Sequence, residues 1–514
     1  METIIILDSG TRYSQMIARR VRECRVYSEI LPLHTSIDKI RRQGLKGIIF
    51  VKEPSEVNGL DNSKACLNDA IYDLNVPILE IHYGSLSMVN GAENNADSIK
   101  NISGYDKADV RILDSHKLFK ALEDLDRNAV AGWIDTQNTS GQVPPESIIL
   151  TTKDNIPIGS VSKERKIYTV QLHPEFFCTE YGKKIIDNFV TEICKCNKDW
   201  TMEHFIHTTV EAIRNQVGSK QIVCGLSGGI DSSVAAILVH RAVGSQLTCI
   251  YVDHGFMRKQ ESKQVINTFS REFKMNLVSV NAEKRFLAKM VGVTDPEQKR
   301  KIIGTEFIRV FEDEARKLGE VDFLVQGTLY SDVVESGVAQ TNVIKTHHNV
   351  GGLPDDVQFE LVEPLRALFK DEVRLLANAL GLPTEIVWRH PFPGPGLAIR
   401  IIGEVTKEKL RILQEVDAIY LEEIRRANLY RDIWQAFAVL TNTRTVGVTD
   451  NKRTYEYVVA LRAIVSEDGM TADWVRIPYP VLERISSRIL QEVKGVNRVT
   501  YDISSKPPAT IEWE

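Results

Sequence analysis

The residues best suited to chemistry are Ser227-Gly228-Gly229-Ile230-Asp231-Ser232-Ser233, which directly follow the apolar run 221–226 and open a helical stretch. Glycines let a backbone come close to phosphate oxygens, and the N–H groups at a helix start point toward an anion placed there. Ser227, Ser232 and Ser233 add hydroxyl donors. Asp231 offers hard oxygen ligands of the kind that share a magnesium ion with phosphates. A Gly-Gly pair with an Asp/Ser helix cap would alone be an ordinary turn. The full S-G-G-x-D-S-S string after an apolar strand points instead to a loop that grips phosphate. It is not a Walker loop, because no G-K-S/T follows.

Further strings of polar residues and glycines follow: Asp253-His254-Gly255-Phe256-Met257-Arg258, Lys299-Arg300-Lys301-Ile302-Ile303-Gly304, Gly327-Thr328-Leu329-Tyr330-Ser331-Asp332 and Lys345-Thr346-His347-His348-Asn349. Then come Arg389-His390-Pro391-Phe392-Pro393-Gly394-Pro395-Gly396 and the ending Ser504-Ser505-Lys506-Pro507-Pro508-Ala509-Thr510-Ile511-Glu512-Trp513-Glu514. Adjacent residues rarely point at one metal, so His347 and His348 make a poor zinc pair. The string 391–396 reads as a rigid wall or hinge at a domain joint. An ending this apolar and aromatic reads as a docked tail.

The 227–233 loop resembles that of the ATP pyrophosphatase superfamily. Together the strings resemble the GMP synthetase family along the whole chain, most specifically from Ser227 to Glu514. The resemblance implies that ATP adenylylates the C2 oxygen of xanthosine 5′-monophosphate (XMP), after which ammonia displaces AMP to give GMP. It assigns ATP and pyrophosphate binding to Ser227, Gly228, Gly229, Ile230, Asp231, Ser232, Ser233 and Lys345, with Asp231 on Mg2+. It assigns XMP to Arg300, Lys506, Ile511 and Glu512, and a magnesium or activation role to Asp332. It also implies a homodimer joined through the third domain. One departure lies there: the family pattern V-G-V-x-G-D-x-R-T-Y meets Val446-Gly447-Val448-Thr449-Asp450-Asn451-Lys452-Arg453-Thr454-Tyr455. Asp-Asn replaces Gly-Asp, which leaves a changed purine monophosphate open as a substrate.

The first domain resembles a class I glutamine amidotransferase, whose Cys-His-Glu triad frees ammonia from glutamine. His173 and Glu175 match its His-x-Glu part. The family nucleophile motif, G-I/V-C-Y-G-M-Q, meets Glu80-Ile81-His82-Tyr83-Gly84-Ser85-Leu86, so His82 stands at the cysteine position and Leu86 at a glutamine contact. The oxyanion loop S-G-G-P reads Val51-Lys52-Glu53-Pro54. Losing both glycines hinders presentation of backbone N–H groups, and Glu53 sets a negative charge near a developing oxyanion. These losses imply that His173 and Glu175 are remnants and that the donor is free ammonia, or ammonia from a separate glutaminase. Glutamine hydrolysis with an atypical nucleophile such as His82, or a non-catalytic nucleotide-binding regulator, are the competing readings.

The elements that must position these residues follow from apolar runs. Runs at 4–7, 47–51 and 76–81, with helical spacing over 14–23 and 181–193, predict an α/β domain on a parallel sheet that closes near residue 197. Short runs at 221–226, 247–252, 277–280 and 323–325, with a helix over 231–242, predict a second parallel sheet. Helices over 407–437 and 481–493, with strands over 455–465 and 498–503, predict a small α+β domain. The expected fold class is thus α/β: an amidotransferase-like domain at 1–197, an ATP-pyrophosphatase parallel-sheet domain at 198–400, and a small α+β dimerisation and XMP-binding domain at 401–514.

Bulk composition narrows the function class. The chain has 514 residues, 43% hydrophobic and 26% charged, with a net charge of −5. That is the composition of a globular chain with no basic footprint for nucleic acid. No apolar run reaches the ~18 residues of a membrane span. The start, Met1 to Asp8, reads as a buried strand and not as a signal peptide. Seven scattered cysteines fit a reduced, cytoplasmic chain.

Overall fold

Apolar, β-branched runs build three sheets. The computed structural model describes residues 1–8, 13–52, 69–82, 105–113, 116–122, 130–135, 148–152, 155, 157–172, 180–336, 359–449, 451–466 and 469–514. They form two compact units, Met1–Phe205 and Ile206–Glu514.

In the first unit, β1 (Thr3–Asp8), β2 (Tyr27–Pro32), β3 (Leu45–Lys52), β4 (Ile78–His82) and β9 (Ile167–Val170) pair in parallel in the order β2-β1-β3-β4-β9. The sheet continues through β8 (Pro157–Ser162), β7 (Ile148–Thr152), β5 (Tyr105–Ile112) and β6 (Val130–Asp135), all antiparallel to their neighbours. The sequence predicts β1, β3 and β4 of the parallel part, and the structure adds β2 and β9 to it. The antiparallel arm is an addition, built from strands whose alternation is broken by bulges at Ile148/Leu150 and Leu150/Thr151. The helix expected over 181–193 is α-helical over Glu180–Asn188 and turns to π-helix over Phe189–Ile193.

The second unit carries two sheets. Strands β10 (Ile222–Gly225), β11 (Leu247–Asp253), β12 (Asn276–Asn281), β13 (Phe323–Val325) and β14 (Glu360–Val362) are all parallel, in the order β12-β11-β10-β13-β14. The order reverses between β10 and β13. In open parallel sheets such a switch point leaves a crevice beyond the strand C-termini where ligands bind. The last sheet is a long antiparallel hairpin, β15 (Gln435–Thr449) and β16 (Lys452–Val465), with β17 (Asp473–Trp474) antiparallel and β18 (Val496–Tyr501) parallel to β16.

The helix expected over 407–437 stops at Arg426. Asn428 adopts φ +57, a left-handed conformation that ends a helix, and Gln435 already belongs to β15. One core runs from Val223, Ile250 and Val252 of the parallel sheet through Leu397 and Ile401 to Leu413, Val416, Ala438 and Leu461. Ile401, in the segment between the two sheets, forms an isolated parallel bridge with Leu440 of β15, so the connecting chain is tied to the last sheet by backbone as well as by packing.

Candidate functional site

The 227–233 loop leaves the C-terminal end of β10 and turns into the helix Ile230–Val243. Gly228 has φ +74, and a Cβ there would lie 2.6 Å from Val265 Cγ2, so the turn requires glycine. The hydroxyls first organise the loop itself. Ser227 Oγ and Ser232 Oγ are 2.9 Å apart, Gly229 N donates to Ser227 Oγ at 3.2 Å, and Ser233 Oγ donates to Gly229 O at 2.7 Å. The first turn of a helix leaves N–H groups without intrahelical acceptors, and here they crown the switch point.

Two other strand ends close on this loop. Beyond β13, an added Cβ on Gly327 would sit 3.4 Å from Asp231 Cβ, so that segment lies against the helix start. Asp332, in the first turn of Tyr330–Ser336, accepts from Leu329 N at 2.9 Å. Beyond β14, Lys370 opens the helix Lys370–Ala379 and donates to both carboxylate oxygens of Asp231, at 2.7 Å for Oδ1. Asp231 is thus an oxygen donor already facing a cation. Lys345, His347 and His348 lie outside the described residues.

The residues expected to bind XMP belong to a tail tied down by buried cations. Arg462 is fully buried; it donates from Nε to Ile511 O at 2.9 Å, from Nη1 to Asp502 Oδ2 at 2.8 Å and from Nη2 to Thr510 O at 3.0 Å. Arg400, also fully buried, grips Glu512 with two bonds of 3.0 and 2.8 Å. Ile511 packs against Phe437, Val439 and Ala460. Lys506 pairs its backbone with Ala472 and donates from Nζ to Gly469 O at 2.8 Å. Arg300 donates to the main-chain oxygen of Glu514, and Lys299 beside it is buried against the Glu514 carboxylate. Burial pulls the Lys299 ammonium down, and its bond to Glu514 opposes that. Arg300, Ile511 and Glu512 therefore gather along one tail, which Lys506 joins four residues upstream of Thr510.

Sequence reasoning missed Lys370, Arg400 and Gln435. The first two leave a signal. Lys370 is a cation at a helix start, where the dipole disfavours it. Arg400 stands inside the apolar run Leu397-Ala398-Ile399-Arg400-Ile401-Ile402, where a charge implies a buried partner.

In the first unit His82 is the last residue of β4, with Lys52 as its register partner on β3. Its side chain, Leu86, His173 and Glu175 lie outside the described residues. Burial pushes the thiols of Cys24 and Cys196 up to about 12, and that of Cys194 well above its usual value. Reactive cysteines have a depressed value, and burial shifts these three the other way. Cys66 and Cys178 are outside the described residues. No described helix is long and apolar enough to cross a membrane.

Comparison with known proteins matches residues 5–193 to the family model "Glutamine amidotransferase class-I", residues 201–305 to "NAD synthase" and residues 422–513 to "GMP synthase C terminal domain". The chain is 54% identical over 514 residues to a GMP synthase (glutamine-hydrolyzing) of Carboxydothermus hydrogenoformans, covering 99% of both chains. It is 55% identical over 519 residues to the protein of the same name in Heliobacterium modesticaldum, covering 100% of this chain and 99% of that one. A third such protein, from Clostridium botulinum, is 51% identical over 514 residues, with 100% and 99% covered.

Proposed function

The chain belongs to the GMP synthase family of C–N bond-forming ligases, and from that premise we propose that it aminates XMP to GMP with ATP, using free ammonia as the nitrogen donor. The carbonyl oxygen at purine C2 is a poor leaving group. Its attack on the α-phosphorus of ATP breaks the bond to pyrophosphate and makes adenylyl-XMP. Ammonia then forms the C2–N bond, AMP leaves with the oxygen, and protons pass to solvent. The observation that carries this reading is the 227–233 loop at the sheet's switch point, with Gly228 at φ +74 and Lys370 facing Asp231. Donors fixed there stabilise the charge that grows on departing pyrophosphate. Asp231 suits Mg2+: its pair with Lys370 leaves both side chains a third or more exposed, so exchanging that partner costs little. When bound, the ion neutralises phosphate charge.

Arg300, Lys506, Ile511 and Glu512 are the proposed XMP contacts, Lys345 a further pyrophosphate contact, and 1–197, 198–400 and 401–514 the proposed domains. The nitrogen donor follows from His82. The relatives' names specify glutamine hydrolysis, but in this chain a histidine occupies the nucleophile position and the oxyanion loop has lost its glycines. A cytoplasmic homodimer completes the reading. Val446, Val448 and Tyr455 stand exposed on the β15–β16 hairpin, an apolar surface of the kind a partner covers.

The test is release of pyrophosphate from ATP and Mg2+ with and without XMP, repeated with other purine monophosphates because of Asp450-Asn451. XMP-dependent release is expected. Nucleotide binding with no release would instead support the regulator reading.

A further inference from the structure

Three segments meet on one carboxylate. Arg400 ends the short helical turn Gly396–Arg400, and its guanidinium lies 4.2 Å from the Phe437 ring centroid and 5.2 Å from that of Phe392. Its Nε donates to Glu512 Oε2 and its Nη2 to Oε1. Gln435, the first residue of β15, donates from Nε2 to the same Oε1 at 2.8 Å and to Pro391 O at 3.1 Å. A carboxylate offers about four acceptor sites. Among the described residues three are filled, two on Oε1 and one on Oε2, which leaves a site on Oε2. Nη1 of Arg400 is buried with no hydrogen-bond partner among the described residues.

A buried cation against two phenylalanine rings is a costly way to fill space, since an apolar side chain of similar volume packs there without desolvating a charge. What the arginine adds is geometry. Two parallel bonds fix the plane of the Glu512 carboxylate, and the Phe437 and Phe392 rings pack against the guanidinium and hold it. We propose that Arg400 is a positioning residue for XMP, acting through Glu512 so that the one open acceptor on Oε2 faces the substrate. The 391–396 turn is its brace, through the Phe392 ring and Pro391 O. The inference rests on the reading that Glu512 contacts XMP.

Steady-state kinetics with ammonium as donor, on R400K, E512Q and the double variant, test it. Lysine keeps the charge but cannot make two parallel bonds. R400K is expected to raise KM for XMP about tenfold while KM for ATP stays within about twofold, and the double variant to lose no more than E512Q alone. Thermal midpoints and calorimetric XMP binding accompany each variant, with R400Q as a second replacement if the lysine ammonium is not accommodated. Losses that add in the double variant, a parallel rise in KM for ATP, or a normal R400K beside an impaired E512Q would overturn the role of Arg400. Normal XMP binding by E512Q would overturn the XMP site itself.

Discussion

Lys370 donates to both carboxylate oxygens of Asp231, joining the end of β14 to the helix that follows β10. The pair spans the site from one side of the sheet's switch point to the other. It is partly exposed, so as a stabilising contact it contributes under about 1 kcal/mol. Its value lies in where it places a cation. K370M should leave the thermal midpoint within about 2 °C but lower turnover by roughly 10²-fold, as expected for loss of one preorganised charge at a developing anion. Pyrophosphate release with ammonium as donor measures it. Unchanged turnover would remove Lys370 from the site.

Glycine is required at two turns for different reasons. At Gly228 the added Cβ meets the buried, β-branched Val265 side chain at 2.6 Å in a left-handed backbone, so G228A should cost at least about 2 kcal/mol and raise KM for ATP. At Gly396, with φ +63, the Cβ would meet the main-chain oxygen of Phe256 at 2.4 Å, which cannot move aside alone. G396A should therefore destabilise by more than about 3 kcal/mol. Denaturant unfolding of the two variants compares them directly.

Two buried histidines make stability depend on pH. Burial lowers His254 and His390 from 6.5 to about 4. His390 stacks on Tyr430 with centroids 3.9 Å apart, and its Nδ1 accepts from Ala436 N at 3.1 Å, so its neutral form is built into the fold. The unfolded chain takes up these protons below pH 6.5 while the fold refuses them. Their contribution is thus whole above pH 6.5, falls as pH drops from 6.5 to about 4, and is lost below that, by roughly 3 kcal/mol per histidine. H390Q should flatten the decline seen in unfolding at pH 7, 5.5 and 4.5; an unchanged slope would contradict a neutral His390.

Restoring the nucleophile alone should not restore glutamine use. H82C supplies a thiol, but Val51-Lys52-Glu53-Pro54 still lacks the two glycines, and on the proposed reading Leu86 stands where the family has a glutamine contact. Glutaminase activity of H82C is expected to stay at background, because an oxyanion left without donors loses ~10²–10³ in rate per donor. Activity appearing with H82C alone would show the oxyanion loop to be intact.

Much of this was legible in the residues, and what was not has physical causes. The strand, glycine turn and helix around 227–233 speak through local chemistry, since phosphate binding needs those residue types at that spacing. Lys370 and Asp231 are 139 residues apart and meet only because β13 and β14 extend the sheet beside β10. Arg400 announces itself as a charge in an apolar run, but its partner could not be named before the tail was seen docked. The start of β15 was hidden because the polar and apolar faces of the stretch after 407 read as one helix past Arg426, where Asn428 turns the chain. Tertiary pairing with β16, and not local propensity, decides that segment.

The source of the attacking nitrogen is the claim on which the account turns, and a nitrogen-donor comparison tests it most directly. Purified protein is given XMP, ATP and Mg2+ with either ammonium or glutamine, and GMP formation is followed. The account predicts GMP with ammonium and only background with glutamine. Glutamine-dependent formation at a rate near that with ammonium would contradict it.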